Sequence, residues 1–361
     1  MLSVVVPVYR NSVLVEYCLD HLVRRAPPSA EIVVVDDASG AETIDVIRRF
    51  PRVRLITHDA NRGNTAAYNT GAAAATGDTL VFVDSDVLVG EGVLEEFEHV
   101  LLTTPSAGAI GALLVYPQTN TIQHAGVAFD RWVVTHVYTG RRRDEVAFAP
   151  LEERQAVTAA LLACRRETYG RVGGFDETYR DGLEDIEFCL RFRDAGLTNY
   201  LLSRTASFHL ESATRGPYKH IRRTFNYAIF FSRWSGRFAV DLGGYIERGV
   251  GLIEWPWSGG ASVTLVNFST TPNWPDLAAP IGERVHVTTV HDLSGFASED
   301  QEIDLFRTLP IAFHRDPLPL VVLVDHFTQI TQNRHWFNQR PCADLVIDRH
   351  ANVIVPPRGG A

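Results

Sequence analysis

Two aspartates, Asp84 and Asp86, stand one residue apart directly after the apolar run of residues 80–83. If that run is a strand, side-chain alternation turns both carboxylates toward one side of the strand end. Paired carboxylate oxygens are hard ligands that suit Mg²⁺ or Mn²⁺, and such an ion can bridge a diphosphate. Two aspartates at this spacing also occur in ordinary solvated turns, so the metal interpretation depends on what surrounds them.

A second acidic pair supports the metal interpretation by its position. Asp36 and Asp37 also end an apolar run, residues 31–35. Ligands of open α/β sheets bind at the carboxyl ends of the strands, so the two pairs are expected to share one crevice. Asp37 with the following Ala-Ser-Gly equally fits a turn or a helix cap, and one aspartate can cap while the other binds.

Residues 61–64, with the sequence Asn-Arg-Gly-Asn, join a predicted strand to a predicted helix. Gly63 permits a tight backbone, and the N-terminus of the following helix attracts anions. The pattern predicts a loop that faces a phosphate, with a plain capped loop as the alternative.

Glu184 and Asp185 open a predicted helix and follow the glycine-containing stretch 172–176. Acidic residues at a helix start stabilise the helix dipole, which is the structural explanation. The functional explanation is a general base, because a carboxylate near a sugar acceptor can take the proton of the attacking hydroxyl. His209 is either a core histidine or a ligand recruited by a nearby metal ion.

Apolar runs alternate with amphipathic segments along the first half of the chain. This alternation predicts a parallel sheet covered by helices on both faces, which is an α/β fold. The predicted strands are residues 2–6, 31–35, 53–57, 79–83 and 155–164, and the predicted helices are residues 12–25, 43–50, 65–75 and 185–195.

Composition limits the possible partners and locations. The 361 residues carry a formal net charge of −9, which opposes a general nucleic-acid binder. Four cysteines without a C-x-x-C pair are expected to be buried thiols in a reducing compartment. No signal peptide is recognisable, and no uncharged apolar run approaches the roughly 18 residues of a membrane span. We therefore expect a cytoplasmic protein.

A basic amphipathic helix is predicted over residues 219–238, with Ile221, Phe225, Ile229 and Phe230 among arginines. Such a helix can rest on the inner face of a membrane that holds a lipid-linked acceptor. The alternative is that its apolar stripe packs on the catalytic domain.

A Pro/Gly-rich bridge at residues 255–260 marks a domain boundary. Beyond it, strands are predicted at residues 262–268, 284–290, 318–324, 343–347 and 353–355, with a helix at 298–309. Residues 258–361 are expected to form a small α/β module that serves assembly, including homo-oligomers, or acceptor positioning.

Taken in order, the motifs of residues 1–235 resemble the family 2 glycosyltransferases of the GT-A fold. The matching elements are residues 4–9 and 33–39, Asn61 to Asn64 with Asn69 and Gly71, residues 82–86 and 173–176, Glu184-Asp185 and His209. Tyr116-Pro117, residues 122–126 and residues 209–216 are similar to bacterial enzymes that build O-antigen, capsule and related surface glycans, rhamnosyltransferases among them.

The resemblance implies an inverting, metal-assisted transfer from a nucleotide-diphospho-sugar to a hydroxyl of a glycan or lipid-linked acceptor. It assigns a donor-binding half to about residues 1–115 and an acceptor half to about 116–235. We expect a helical or linker segment at residues 236–257. Asp185 would be the base, with Glu184 second to it, and Mg²⁺ or Mn²⁺ would be held by Asp84, Asp86 and His209. The donor-binding residues would be Pro7, Tyr9, Asp36, Asp37, Asn61, Arg62, Gly63, Asn64, Asp84, Ser85 and Arg215.

Three other protein classes share parts of this pattern. A nicotinamide dehydrogenase would carry G-x-G-x-x-G after the first strand, where Pro7-Val8-Tyr9-Arg10-Asn11 stands instead. A sugar nucleotidyltransferase typically needs a glycine-rich triphosphate loop near the N-terminus, which the sequence lacks. A non-catalytic nucleotide-sugar-binding or scaffold protein would carry the same motifs without turnover.

Overall fold

Continuous runs of Val, Ile and Leu form the buried strands at the centre of the N-terminal part of the chain. The computed structural model describes residues 1–130, 133–139, 141–179, 182–210, 219–242, 245, 261–269, 285–294, 305–309, 318–325, 336, 344–348 and 353–355. The chain divides into two compact units, Met1–Phe129 with Val134–Ala239, and Asp130–Val133 with Val240–Ala361. The division falls inside the linker predicted at 236–257.

The strands of the first part of the chain are β1 (Leu2–Val8), β2 (Glu31–Asp36), β3 (Val53–Thr57), β4 (Thr79–Val83), β5 (Val87–Leu88), β6 (Ala107–Tyr116), β7 (Thr121–His124), β8 (Val127–Asp130), β9 (Val133–His136), β10 (Leu151–Arg154), β11 (Leu161–Arg165) and β12 (Thr198–His209). The helices are α1 (Ser12–Arg25), α2 (Ala41–Ile47), α3 (Asn64–Ala74), α4 (Val93–Thr103), α5 (Arg166–Val172), α6 (Glu184–Asp194) and α7 (Lys219–Trp234).

The central sheet has the strand order β10-β12-β6-β11-β4-β1-β2-β3. The parallel pairing predicted for the first strands is confirmed, because β4, β1, β2 and β3 all run parallel. Beyond β4 the sheet is mixed, since β11 is antiparallel to both β4 and β6, while β12 is parallel to β6. Strand β5 pairs with β12, and β7 pairs with β6.

Alternate residues of each central strand pack on opposite faces of the sheet. Val81 and Val83 of β4 belong to the core that contains side chains of α1 and α4. Leu80 and Phe82 belong to the core on the other face, where the rings of Tyr68 and Phe175 pack against Phe82. Both faces are therefore covered, as the uninterrupted apolar runs predicted.

The strand predicted over residues 155–164 is wrong in its first part. Strand β10 ends at Arg154 and β11 begins only at Leu161. Residues 155–160 form a loop, which is named the 155–160 loop below. Its backbone groups from Thr158 to Ala160 bond to side chains and backbone of distant elements, and apolar composition alone does not separate this from a strand.

The second half of α7 and the residues that follow it pack inside the first unit. Phe230, Trp234 and Phe238 are buried, and the rings of Phe230 and Phe238 stack against Phe129. This supports the packing alternative for that stretch. The side chains of residues 219–225, which include Ile221 and Phe225 of the predicted basic helix, lie outside the described residues. No helix in the described part of the chain is long and apolar enough to span a bilayer.

Three of the cysteines, Cys18, Cys164 and Cys189, are buried and free, as predicted. Burial raises the pKa of the Cys18 thiol to about 12, so this thiol stays protonated and inert. Cys342 lies outside the described residues.

The second unit contains β13 (Ala261–Asn267), β14 (Val285–Asp292), α8 (Leu305–Thr308), β15 (Leu320–Val324), β16 (Leu345–Asp348) and β17 (Val353–Val355). Its strand order is β14-β13-β15-β16-β17, parallel except for β17. All five strands predicted after residue 258 are confirmed. The helix predicted at 298–309 is described only from residue 305. Phe268, Leu305 and Trp336 are buried in the core of this unit.

The 155–160 loop lies so close to β6 that Gly111 should tolerate no side chain. A Cβ at Gly111 would stand 2.4 Å from Cβ of Val157. We expect Gly111→Ala to lower the free energy of unfolding by about 1–3 kcal/mol, because the core must shift to accept the methyl group. Urea denaturation measures this change.

Gly170→Ala in α5 is the matched control, since its added Cβ meets nothing within 4 Å. Alanine there should be neutral or stabilising by about 0.5–1 kcal/mol. Equal stabilities of the two variants would contradict the close approach of Val157 to β6.

Candidate active site

The turn after β4 places the aspartates of the D-x-D pair. The N–H of Asp84 donates to the carbonyl of Ala160 at 2.9 Å, and the N–H of Val87 returns to the carbonyl of Asp84 at 3.1 Å. The carbonyl of Asp86 accepts from the N–H of Leu210 at 2.9 Å. These bonds fix both residues at the carboxyl end of β4, where the sequence predicted a ligand crevice.

His209 joins the two aspartates because β12 pairs with the short strand β5. In that pairing His209 lies opposite Val87, and its Nε2 stands 3.2 Å from Oδ1 of Asp86. Each of Asp84, Asp86 and His209 offers one ligand atom, and these three atoms lie within 4.8 Å of one another. Two carboxylates and an imidazole form a donor set that fits Mn²⁺ or Mg²⁺.

Gln123 was not predicted as a site residue. Its side-chain amide lies within hydrogen-bond distance of Nδ1 of His209. That nitrogen is 2.7 Å from Nε2 of Gln123 and 3.0 Å from Oε1 of Gln123. The contact orients the imidazole so that the opposite nitrogen, Nε2, points to Asp86. Gln123 belongs to the stretch 122–126, whose only signal in the sequence was its likeness to surface-glycan enzymes.

The carboxylate of Asp84 is held by side chains of α3. Oδ1 accepts a hydrogen bond from the hydroxyl of Tyr68 and another from Nδ2 of Asn64 at 3.4 Å. Burial raises the pKa of the Asp84 carboxyl, the charge of Asp86 adds to this, and His209 and the hydrogen bonds oppose it. Burial and the charge of Asp84 raise the pKa of the Tyr68 hydroxyl, so that group remains a hydrogen-bond donor.

Asp37 organises the loop at residues 61–63. Its carboxylate accepts the backbone N–H of Arg62 and of Gly63, each at 2.8 Å. Nδ1 of His58 lies 2.7 Å from Oδ1 of the same carboxylate. The amide of Asn61 donates to the Asp37 carbonyl at 3.4 Å. The carboxylate of Asp37 is therefore occupied by hydrogen bonds to the loop. The side chain of Arg62 is exposed, and one of its guanidinium nitrogens lies 3.7 Å from the carboxylate of Glu177.

The remaining predicted donor residues lie at the ends of β1, β2 and β4. Pro7 pairs with Val35 in the sheet, and the guanidinium of Arg10 lies over the ring of Tyr9. Asp36 is buried, and its Oδ2 accepts the N–H of Ser39 at 3.1 Å, which closes the turn after β2. Ser85 is half-buried between the two aspartates. Arg215 lies outside the described residues.

The two acids at the start of α6 occupy different environments. The buried carboxylate of Glu184 turns back to accept the N–H of Gly182 at 2.7 Å, next to Leu183 with its left-handed φ of 73°. Burial, followed by the charge of Asp185, raises the pKa of Glu184 to about 8. Asp185 is only partly buried. Its Oδ2 accepts the N–H of Ala159 at 3.1 Å, and its Oδ1 accepts the N–H of Ile186 at 2.8 Å.

The 155–160 loop connects the two groups of acids. The N–H of Ala159 donates to Asp185, the carbonyl oxygen of Ala159 lies 3.1 Å from the hydroxyl oxygen of Tyr68, and the carbonyl of Ala160 accepts the N–H of Asp84. Two consecutive residues of one loop, Ala159 and Ala160, thus form hydrogen bonds with the candidate base and with the first aspartate of the D-x-D pair.

Comparison with known proteins identifies the first part of this chain. Residues 3–159 match the family described as "Glycosyl transferase family 2". These residues form a family 2 glycosyltransferase domain. The crystal structure of GalNAc-T7 with UDP, GalNAc and Mn²⁺ is similar to this chain with a TM-score of 0.52 and 18% identity, over 69% of this chain and 54% of that one. The family 2 domain therefore has the GT-A fold.

Two curated relatives extend the likeness beyond the family 2 domain. O-antigen biosynthesis protein RfbC of Myxococcus xanthus is 28% identical over 224 residues, which are 59% of this chain and 17% of RfbC. The N-acetylglucosaminyl-diphospho-decaprenol L-rhamnosyltransferase of Mycobacterium tuberculosis is 27% identical over 272 residues, which are 67% of this chain and 88% of that enzyme. For three of the curated relatives, RfbC among them, the alignment with this chain spans only 17% to 34% of the relative's own length.

The acid cluster of the family 2 domain should bind a divalent ion in the absence of any substrate. Loss of even an outer partner of a metal ligand typically costs about 10–100-fold in affinity, so removal of a direct ligand should cost at least as much. We expect Asp86→Asn to weaken Mn²⁺ binding by that factor, measured from the signal of free Mn²⁺ in electron paramagnetic resonance. Asp45→Asn, which removes an exposed carboxylate of α2, should bind Mn²⁺ as the wild type does.

The raised pKa of Glu184 should appear in the pH dependence of stability. Between the ordinary pKa of 4.5 and about 8, the unfolded chain releases a proton that the folded protein keeps. Stability contributed by this group is therefore complete below about pH 4.5 and is lost as the pH rises toward 8. The free energy of unfolding should fall less between pH 5 and pH 8 in Glu184→Gln than in the wild type.

Urea denaturation in the presence of a chelator measures this difference without metal binding. Glu167→Gln, at an exposed glutamate in the first turn of α5, controls for removal of a charge and should follow the wild type. Parallel pH profiles for wild type and Glu184→Gln would contradict the assignment of a protonated Glu184.

Proposed function

We propose that this chain is an inverting, metal-assisted glycosyltransferase that moves a sugar from a nucleotide-diphospho-sugar to an acceptor hydroxyl, with Asp185 as the general base. The observation that carries the proposal is the 155–160 loop. The N–H of Ala159 in this loop donates to the carboxylate of Asp185, and the carbonyl of Ala160 accepts the backbone N–H of Asp84. The carboxylate of the candidate base and the backbone of the aspartate on the diphosphate side are thus held by adjacent residues of one backbone segment.

Asp84, Asp86 and His209 would hold Mg²⁺ or Mn²⁺. Bound there, the ion supplies positive charge that stabilises the departing diphosphate. The protein holds these donors in place beforehand, Asp84 by Tyr68 and Asn64 and His209 by Gln123. Little reorganisation is then needed when the leaving group develops its charge.

Asp185 is the group best suited to remove the acceptor proton. Glu184 keeps its own proton at neutral pH because of its raised pKa, and its carboxylate is engaged with the N–H of Gly182. Asp84 and Asp86 belong to the candidate metal group, where a carboxylate that binds a cation is a weak base. Asp185 is partly exposed and keeps acceptor capacity beyond its two backbone contacts.

Donor binding would use the carboxyl ends of β1, β2 and β3. The loop at residues 61–63, fixed by Asp37, precedes the N-terminus of α3, where backbone N–H groups favour phosphate. Pro7, Tyr9 and Asp36 lie at neighbouring strand ends. This supports a nucleoside diphosphate at that edge of the sheet.

The relatives suggest the class of acceptor. One is named for O-antigen biosynthesis, and another for transfer of L-rhamnose to an N-acetylglucosaminyl-diphospho-decaprenol. We therefore include a saccharide linked by a diphosphate to a polyprenol among the acceptors, and uridine, thymidine and guanosine diphospho-sugars among the donors. A non-catalytic binding protein would bind a donor without releasing nucleoside diphosphate.

The test is release of nucleoside diphosphate from this donor panel with Mn²⁺, with water and with a short-chain polyprenyl diphospho-N-acetylglucosamine as acceptors. Asp185→Asn should lower the rate by a factor on the order of 10² or more while the donor affinity stays nearly unchanged. Glu184→Gln should affect stability or binding more than the chemical step.

Asp194→Asn, at the exposed C-terminal end of the same helix, is the matched control and should keep the wild-type rate. Near-normal turnover in Asp185→Asn would overturn the role of the base. A product that retains the donor's anomeric configuration, measured by NMR, would overturn the inverting mechanism.

A further inference from the structure

His124, the last residue of β7, is fully buried and has no part in the function proposed above. Both of its ring nitrogens are engaged. Nε2 accepts the backbone N–H of Gly126 at 3.2 Å and that of Thr158 at 3.1 Å. Nδ1 lies 2.7 Å from Nδ1 of His136.

These contacts define the tautomer of His124. A ring nitrogen that accepts two N–H bonds carries no proton, so the hydrogen of the neutral ring must be on Nδ1. His124 therefore donates to His136 through Nδ1–H. Burial, followed by the charges of His136, Arg154 and His209, lowers the pKa of His124 well below its usual range, so the ring stays neutral.

The backbone of Thr158 connects this ring to the candidate active site. The next two residues, Ala159 and Ala160, make the backbone contacts with Asp185, Tyr68 and Asp84. A displacement of the Thr158 N–H would move the peptide that carries the Ala159 N–H. Misplacement of a reacting group by about 1 Å can cost on the order of 10²-fold in rate.

We propose that His124 is a positioning residue, which sets Asp185 against Asp84 by accepting the N–H of Thr158 at Nε2. The proposal rests on the glycosyltransferase function proposed above. If His124 positions the loop in this way, a hydrogen-bond acceptor must occupy the place of Nε2. If the ring only fills space, an apolar side chain of similar volume should replace it.

Two substitutions separate these roles. Leucine at position 124 fills much of the volume without any acceptor, whereas the Oε1 of glutamine can reach the position of Nε2 and accept two N–H bonds. We expect His124→Leu to lower kcat for nucleoside diphosphate release by about 10- to 100-fold with the donor KM nearly unchanged. His124→Gln should recover most of the lost kcat.

The kinetics use the donor of the panel that the wild type turns over, with Asp185→Asn as the reference for loss of the base. His99→Leu, at an exposed histidine of α4, is the matched control and should keep wild-type kinetics. Equal kcat in wild type, Leu and Gln variants, with Asp185→Asn inactive, would overturn the positioning role and leave the glycosyltransferase function standing. Full activity of Asp185→Asn would overturn the function itself.

A second measurement does not depend on turnover or on the folding of a variant. Nitrogen-15 NMR of the imidazole groups in the wild type reports which ring nitrogen carries the proton. We expect His124 to show hydrogen on Nδ1 and none on Nε2 from pH 6 to pH 8. Hydrogen on Nε2 would overturn the proposal, because that nitrogen could not then accept the Thr158 N–H.

Discussion

Mutual repulsion among four buried or half-buried carboxylates is the constraint on which the site depends. Burial and the charge of Asp86 raise the pKa of Asp84, and burial followed by the charges of Asp185 and Asp84 raises the pKa of Glu184 to about 8. The charges of neighbouring acids thus make ionisation of Asp84 and of Glu184 more costly. One charge is removed by keeping Glu184 protonated. The others are stabilised by hydrogen bonds from Tyr68, Asn64 and backbone N–H groups, by His209, and by the divalent ion that the proposed function requires.

The hydrogen bonds that hold these acids converge on the 155–160 loop. Its first residue, Gln155, exchanges side-chain hydrogen bonds with the backbone of Ala239, and its carbonyl accepts from Asn199 at 2.9 Å. In the middle, Val157 fills the space beside Gly111. Because both ends and the centre are fixed, the peptide groups of Thr158 to Ala160 are available as rigid donors and acceptors. Rigid support of this kind keeps reacting groups within the small tolerances that catalysis requires.

The two halves of the central sheet contribute different parts of the site. The parallel strands β1 to β4 supply the crevice and the acids at their carboxyl ends. The mixed half, β6, β11 and β12 with the short strands β5 and β7, brings in His209 and Gln123 and leads into the loop. Asp37 shows how a residue at the crevice can act indirectly, since its carboxylate is used to shape the loop at residues 61–63.

By itself the sequence determined the elements whose signals are local. Apolar runs predicted β1 to β4 and the five strands of the second unit, and helical spacing predicted α1, α3 and α6 within a residue or two at each end. The acids at strand ends were recognisable because a parallel sheet brings those ends to one edge. The ordered motifs were sufficient to identify the family 2 domain.

Only the tertiary structure decided which distant groups complete the site. Gln123, Tyr68 and His124 act through partners 16 to 86 residues away, and Asp37 acts on a loop 25 residues farther along. The 155–160 loop is apolar enough to resemble a strand, and its backbone found side-chain partners instead. Strands and helices follow from hydrophobic periodicity in a short window, whereas these contacts depend on the register and order in which β6, β7, β11 and β12 pair, and no local pattern encodes that.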